Sequence, residues 1–174
     1  MTLRPILIHP DPRLKKLCDP VPGVDDDLRR LIDDMLDTMY DAPGVGLAAP
    51  QIGVIRRLFV MDCADKEAPP QPMALVNPEI LWSSEETRVH EEGCLSIPEI
   101  YEDVTRPDRV RMRWLDRDGN ECEGEFDGLA ATCAQHELDH LNGKLFIDYL
   151  GMVKRQMITG KMKKFKRERA KQGD

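Results

Sequence analysis

The chain has 174 residues, of which 41% are hydrophobic and 33% are charged, and its formal net charge is −7. This length suits a single domain, 1–174, large enough to bury about two thirds of its unfolded surface. No apolar run approaches the roughly 18 residues of a membrane span, and Met1–Pro12 lacks the pattern of a secretory leader. We therefore expect a cytoplasmic protein without a membrane partner, and five scattered cysteines without a CxxC pair do not favour a disulfide framework.

Charge is distributed unevenly along the chain. Residues 151–174 contain nine Lys or Arg and two Asp or Glu, whereas the rest contains 16 basic and 30 acidic residues. An acidic body argues against binding of duplex nucleic acid, and we expect no sequence-specific nucleic-acid partner. The basic tail has two interpretations, a solvated helix face or a surface that meets phosphates.

The predicted elements run from helix to strands and back to helices, an α+β order. Prolines up to residue 22 predict an extended opening segment, and apolar residues three and four apart predict a helix from Asp25 to about Pro43–Gly44. The proline-rich stretch 65–72 is typical of a surface loop, and the turn 118–120 predicts a hairpin. Strands are predicted at 58–62, 74–81, 89–96, 101–105, 110–116 and 121–126, and further helices at 129–142 and 152–170.

The second predicted helix contains the sequence HExxH, residues 136–140. In a helix its two histidines, His136 and His140, lie one turn apart on one face and can share a metal ion. Glu137 projects beside them and can take a proton from water that the metal activates. Two surface histidines with an ion-paired glutamate are the alternative interpretation.

A catalytic metal site of this kind needs a third protein ligand. Phe146 stands where a metzincin would have its third histidine, so that family is excluded. Glu168 is the one glutamate after the motif and lies in the basic tail, where a solvated role is the ordinary one. The third ligand is therefore sought upstream.

Upstream, two segments attract attention. Cys94 in the segment EGCLS, residues 92–96, is on its own better explained as a small buried side chain than as a ligand. The small residues of 44–53 suit a segment that lies close to a substrate backbone, with Gln51 as a hydrogen-bond donor. A tight packed turn is the alternative for 44–53.

Three segments, GVGLAAPQ (44–51), EGCLS (92–96) and QHELDH (135–140), occur in the order and spacing of the peptide deformylases. The chain resembles the Gram-negative bacterial type of that family over nearly its whole length. The resemblance implies an enzyme that removes the formyl group from N-formylmethionyl peptides and releases formate. It also implies a fold in which mixed or antiparallel strands pack around the HExxH helix, followed by a C-terminal helix.

The resemblance also implies roles for individual residues. It makes Cys94, His136 and His140 ligands of a divalent metal, Glu137 the base, and Gln51 with the Leu95 backbone N–H the donors to the developing oxyanion. It places the methionine side chain against Val45, Gly46, Leu129, Thr132 and Cys133. Thr132 and Tyr101 depart from residues common in relatives, which leaves the polarity of the pocket and the contacts to the second substrate residue open.

The ligand set suits zinc and ferrous iron alike. The resemblance implies Fe²⁺ in the cell, with Zn²⁺, Ni²⁺ or Co²⁺ as replacements, and docking of the C-terminal helix, 151–174, on the ribosome. Two rival interpretations remain. One is an HExxH amidase or peptidase acting on another acyl group, and the other is a catalytically silent metal- or ribosome-binding module.

Overall fold

A computed structural model describes residues 2–173. Its helices are α1 (Asp26–Asp41), α2 (Gly128–Leu141) and α3 (Met152–Lys171), with short 3₁₀ segments at Pro12–Lys15, Ala49–Ile52 and Phe146–Tyr149. The strands are β1 (Gly46–Ala48), β2 (Leu58–Met61), β3 (Met73–Ser83), β4 (Thr87–Cys94), β5 (Ile97–Pro107), β6 (Arg109–Leu115) and β7 (Glu121–Asp127). Among these residues, no helix has the length and apolar character needed to cross a membrane.

The strands form two sheets, and every strand pair is antiparallel. Five strands make one sheet in the order β1-β2-β3-β6-β7, and β4 pairs with β5 as a separate hairpin. The α+β fold is thus confirmed.

Helices cover both faces of the sheet at β1, β2 and β3. Phe59 and Met61 of β2 pack with residues of α2, whereas Leu58 and Val60 pack with residues of α1. Because side chains of a strand alternate between faces, a strand covered on both sides is apolar at every position, and all four residues of β2 are buried.

At β6 and β7, the far end of the sheet, one face is exposed to solvent. Along β6, Val110, Met112 and Trp114 are buried toward α2, while the arginines between them are exposed. These arginines form ion pairs with glutamates of β7, for example Arg111 with Glu123 at 2.8 Å. Alternating sequence and alternating burial agree here, as expected for an antiparallel sheet with one solvated side.

α2 lies at the centre of the molecule, and nine of its residues are buried. The chain leaves it through Gly143 with φ of +75°, a conformation that L side chains rarely adopt. A Cβ at Gly143 would lie 2.5 Å from the Lys15 carbonyl oxygen, so the opening segment packs directly against the end of α2. α3 packs against a third apolar cluster through Ile158 and Met162.

One sequence prediction falls short at the boundaries of its element. The strand predicted at 101–105 begins at Ile97 and ends at Pro107, because the hairpin with β4 accommodates prolines at both ends of its second strand. The segment 44–53, which the sequence predicted to be a substrate-facing segment or a packed turn, forms strand β1 and a 3₁₀ turn at Ala49–Ile52.

Candidate metal centre

Three side chains with metal-ligand atoms meet between β4 and α2. Cys94 ends β4, while His136 and His140 lie one turn apart on α2. Their ligand atoms all lie within 4.8 Å of one another, and Cys94 Sγ is 3.4 Å from His140 Nε2. Within residues 2–173, this is the one group of three or more such side chains close enough to share an ion.

Glu92 fixes the ring of His136. Its Oε1 lies 2.9 Å from His136 Nδ1, so that Nδ1 carries the proton and Nε2 keeps its lone pair for a metal. Burial by itself would raise the pKa of Glu92, but hydrogen bonds from His136 and Arg106 outweigh it and lower that pKa. Glu92 is therefore an anion that fixes the orientation of the His136 ring.

Arg106 in turn holds Glu92. Its guanidinium donates to both carboxylate oxygens of Glu92, at 2.6 and 2.9 Å. The third guanidinium nitrogen donates to Asp139 Oδ2 at 2.9 Å. Tyr149 donates its hydroxyl to the same Asp139 at 2.7 Å. Arg106 is 5% exposed and Glu92 is 3% exposed, so each buried charge has a partner, as burial requires.

The donor set fits a divalent metal. One thiolate and two neutral imidazoles match the ligands of catalytic sites that leave the fourth tetrahedral position for water or substrate. The proton that Glu92 fixes on His136 Nδ1 matches the outer shell usual for metal-binding histidines.

Glu137 lies beside this cluster and is almost completely buried. Its Oε1 is 3.9 Å from His140 Nε2. Burial raises the pKa of Glu137 to about 7, although the charge of His136 opposes the shift. A carboxyl group with this pKa can both accept and release a proton near neutral pH.

Gly46 lets β1 approach α2 at this point. A Cβ on Gly46 would lie 2.8 Å from Cys133 Sγ and 2.9 Å from Glu137 Oε2, so any side chain would displace the carboxylate. The small residues noted in the sequence are thus explained by close packing of backbone against the site.

The side-chain amide of Gln51 is held in one orientation by a backbone hydrogen bond. The backbone N–H of Ala48 donates to Gln51 Oε1 at 2.8 Å, which turns the amide nitrogen toward the cluster. Gln51 Nε2 lies 3.1 Å from Ser96 Oγ and 3.5 Å from Cys94 Sγ. A hydrogen-bond donor is therefore fixed next to the metal-ligand atoms.

A cavity of about 410 Å³ opens onto the cluster. Tyr101 lies at its rim, 64% exposed, against Gly93. His140 does not line the cavity and is buried behind it. The other residues to which the resemblance gave a role all contribute to its wall, namely Val45, Gly46, Gln51, Cys94, Leu95, Leu129, Thr132, Cys133, His136 and Glu137.

The two residues considered and set aside as ligands also have clear positions. Glu168 is exposed on α3, away from the cluster. Phe146 stacks on His136, with ring centroids 6.0 Å apart.

Sequence reasoning missed the residues that position His136. Glu92 was noted only as part of the segment EGCLS, and neither Glu92 nor Arg106 was given a role. One signal was available at Glu92, since a charged residue in the middle of a predicted strand needs a partner if the strand is buried. The pairing of Glu92 with Arg106 depends on the register of β4 and β5 and could not be read from the pattern.

A cysteine and two histidines around one point, with a buried carboxyl group and a fixed amide donor on one cavity, are the groups that a metal-dependent hydrolase of amide bonds requires. The family model for polypeptide deformylase matches residues 3–156. The chain is 58% identical to a peptide deformylase of Methylocella silvestris, over 94% of this chain and 85% of the relative. It therefore belongs to the polypeptide deformylase family.

Solved structures agree with this assignment. The crystal structure of a peptide deformylase from Legionella pneumophila is 50% identical, with a TM-score of 0.89 over 97% of this chain and 98% of that one. One from Ehrlichia chaffeensis, in complex with actinonin, is 40% identical, with a TM-score of 0.92 over 96% and 99% of the two chains. The family removes the formyl group from formylated nascent peptides by metal-dependent hydrolysis, and this is the reaction of the chain.

Proposed function

We propose that Cys94, His136 and His140 hold one divalent metal ion and that the groups around them carry out deformylation. The observation that carries the proposal is the convergence of three ligand atoms within 4.8 Å on a cavity that Gln51 and Glu137 also line. When bound, such a metal makes hydroxide available near neutral pH and polarises the attacked carbonyl. We propose Fe²⁺ in the cell, as the family resemblance implies. Zn²⁺, Ni²⁺ or Co²⁺ can replace it, because this donor set suits several of these ions.

Glu137 moves the proton in the proposed reaction. Its carboxylate accepts a proton from the attacking water as oxygen bonds to the formyl carbon. It then gives that proton to the methionine nitrogen as the C–N bond breaks, so that formate and a free amine leave. Burial beside His140, and the pKa of about 7 that results, support a group that works in both directions.

Gln51 and Leu95 stabilise the charge that develops on the formyl oxygen. The Gln51 amide is already oriented by the Ala48 N–H, so its nitrogen needs no reorganisation when the oxyanion forms. Leu95 directly follows Cys94 and lines the same cavity, which supports its backbone N–H as the second donor.

The methionine side chain occupies the apolar part of the cavity. Leu129, Thr132 and Cys133 of α2 line the cavity together with Val45 and Gly46. A thioether is flexible and polarisable, and it tolerates a pocket that contains a hydroxyl and a thiol. We propose that these five residues select methionine.

A formate-release assay tests the proposal. Protein stripped with a chelator is assayed with and without added Fe²⁺ or Zn²⁺ on formyl-Met and acetyl-Met peptides. We expect formate release that depends on metal and little hydrolysis of the acetyl substrate. Equal hydrolysis of both substrates would favour an amidase of another specificity, and release that no metal restores would contradict the proposed centre.

We also propose that α3 brings the enzyme to the ribosome, and that the chain works as one catalytic domain in the cytoplasm, where nascent peptides emerge. Ile158 and Met162 attach α3 to the body, and its lysines point outward. Such a row of cations binds RNA phosphate by counterion release, without sequence recognition.

A further inference from the structure

A second cavity lies between the opening segment, the 3₁₀ segment Phe146–Tyr149 and the first half of α3. Its volume is about 500 Å³. None of the residues that line the cavity at the candidate metal centre lines this one. No step of the proposed reaction uses it, so its polar wall needs a separate explanation.

The wall of this second cavity carries positive charge that no nearby carboxylate neutralises. Arg155 and Lys163 of α3 line it, and within residues 2–173 neither of them forms an ion pair. Asp148 is the one acidic residue among the lining residues, and Lys15 Nζ lies 2.8 Å from both of its carboxylate oxygens. Two cationic groups without a carboxylate partner therefore face the cavity.

His9 prepares a hydroxyl donor on the same wall. His9 is 7% exposed, and its Nε2 lies 2.8 Å from Thr159 Oγ1. Burial, and next the charge of Lys15, lower the pKa of His9, so the ring is neutral and carries one proton. Because Nδ1 has no hydrogen-bond partner within residues 2–173, and a buried N–H without an acceptor is costly, the proton belongs on Nε2. Thr159 then accepts from His9, and its own hydroxyl proton is free to donate to a ligand in the cavity.

These donors stand on one face of α3. Arg155, Thr159 and Lys163 follow one another at intervals of four residues, and Gln156 also lines the cavity. Gly160 lies among them, and a Cβ at this position would meet no atom within 4 Å. Glycine in the middle of a helix is less stable than alanine, and neither close packing nor a positive φ requires it here. The missing side chain leaves room for a ligand beside the donors.

We propose that this second cavity binds a phosphate monoester. Such a group carries a charge of about −1.5 to −2 near neutral pH and three oxygens that accept hydrogen bonds. Two cations and the Thr159 hydroxyl match that charge and that number of oxygens. A phosphodiester of RNA has one charge and two free oxygens, and it would leave one cation without a partner. Ile147 and Met152 offer an apolar wall to the organic part of the ligand.

The test uses the full chain loaded with Zn²⁺, a d¹⁰ ion that is compatible with NMR of the backbone amides. Inorganic phosphate and methyl phosphate are titrated, and dimethyl phosphate and a short RNA without terminal phosphates represent the diesters. We expect saturable shifts at Thr159 and Gly160 with the first two probes. Both diesters should bind at least about tenfold more weakly, since each lacks one charge-assisted hydrogen bond. Diesters that bind as tightly would overturn the assignment of a monoester.

Two charge variants test the cations of the wall. Arg155→Gln and Lys163→Gln should each weaken the binding of methyl phosphate about tenfold, the effect of one charge-assisted hydrogen bond. Lys154→Gln and Lys164→Gln are the matched controls, because each removes a neighbouring cation of α3 that does not line the cavity. Equal weakening in the controls would reduce the wall to a solvated helix face and overturn the proposal.

Gly160→Leu tests the space in the second cavity. The added side chain should fill it and abolish binding of methyl phosphate. Leucine favours the helix, and its Cβ meets no neighbouring atom, so the fold should persist. The amide spectrum itself shows whether each variant is folded. Unchanged affinity in folded Gly160→Leu would overturn the proposal.

The same spectra distinguish this site from the metal centre. Phosphate that binds only to the metal would shift the amides of Cys94 and Leu95 and leave Thr159 and Gly160 unchanged, which would overturn the second site. The proposal does not rest on the proposed deformylation. Protein without metal-dependent formate release would contradict that function and leave phosphate binding at α3 untouched.

Discussion

The helices α2 and α3 handle charge in opposite ways. Around α2 the charged groups are largely buried, and Arg106 has defined partners in Glu92 and Asp139. Along α3 most of the cationic groups are exposed, and Lys154, paired with Glu102 at 2.9 Å, belongs to an exposed ion pair. Around α2, individual charges have fixed positions and partners. On α3, many exposed cations act together through their summed positive charge.

This difference determines how each region responds to mutation. A buried charge that loses its partner stays unsolvated, so one substitution has a large and specific effect. Exposed charges in water interact weakly one by one, and their effect is a sum over many of them. Substitutions around α2 should therefore act individually, and substitutions on α3 in groups.

The largest effect is expected at the ligands. Replacing Cys94, His136 or His140 by alanine leaves two ligands, which is too weak a site, so metal and formate release should disappear together. Elemental analysis and the formate assay measure both. Cys133→Ala is the matched control, a nearby cysteine outside the ligand set that should keep its metal. Full metal occupancy in Cys94→Ala would remove Cys94 from the site.

Glu137→Gln should leave the metal in place and lower turnover by about 10²–10⁴, the usual contribution of a positioned acid or base. The amide has the same shape but cannot accept the proton. Elemental analysis and steady-state kinetics on one preparation distinguish the two effects. Near-normal turnover would make Glu137 a packing residue.

Gln51→Ala should keep the metal and lower turnover by about 10²–10³ if the amide donates to the oxyanion. Ser96→Ala is the control, because it removes a hydrogen-bond partner of Gln51 and leaves the anchor at the Ala48 N–H. We expect a much smaller loss in that variant. Similar losses in both would indicate that the network around Gln51 matters more than its donor.

Glu92→Gln tests the support of His136. Without this anion, Arg106 has one ionic partner fewer, and the proton of His136 is no longer fixed on Nδ1. Metal affinity should therefore fall by about 10–100-fold. Competition with a chromophoric chelator measures that affinity. Glu91→Gln is the neighbouring control on the same strand, outside the hydrogen bonds to His136 and Arg106, and should bind metal normally.

The comparison of helices also shows what a sequence can predict. The α2 motif, its two histidines and the α+β order follow from local spacing, because a helix places residues four apart on one face. The basic tail is visible in the residue counts alone. These features depend on neighbours along the chain.

The rest depends on contacts between distant segments. The bonds from Glu92 to Arg106 and to His136 join three elements, and no periodic pattern encodes their register. Strand β1 has three residues, too few to show an alternation. Cys94 was linked to the histidines by family resemblance, and its position 3.4 Å from His140 Nε2 comes from the hairpin turn after β4.

The smallest effect on turnover is expected on α3. Four exposed cations are replaced by glutamine in one variant, Lys161, Lys164, Lys166 and Arg167. Deleting the segment is less informative, because Met162 is 3% exposed and helps attach the helix. Turnover on a short formyl-Met peptide should not change. Affinity for ribosomes should fall, and the slope of log affinity against log salt should decrease by up to about 1 for each phosphate that the variant no longer neutralises.

The control removes the same number of positive charges from the body, at Arg30, Arg109, Arg111 and Arg113, which are all exposed and ion-paired. If only net charge mattered, both variants would lose ribosome affinity equally, since both become more acidic by the same amount. A cluster on α3 that meets phosphate predicts a loss confined to the α3 variant, because the body arginines already face glutamates or aspartate. Sedimentation with ribosomes over a salt series makes this distinction, and equal binding of the α3 variant and the unmodified protein would exclude the helix from docking.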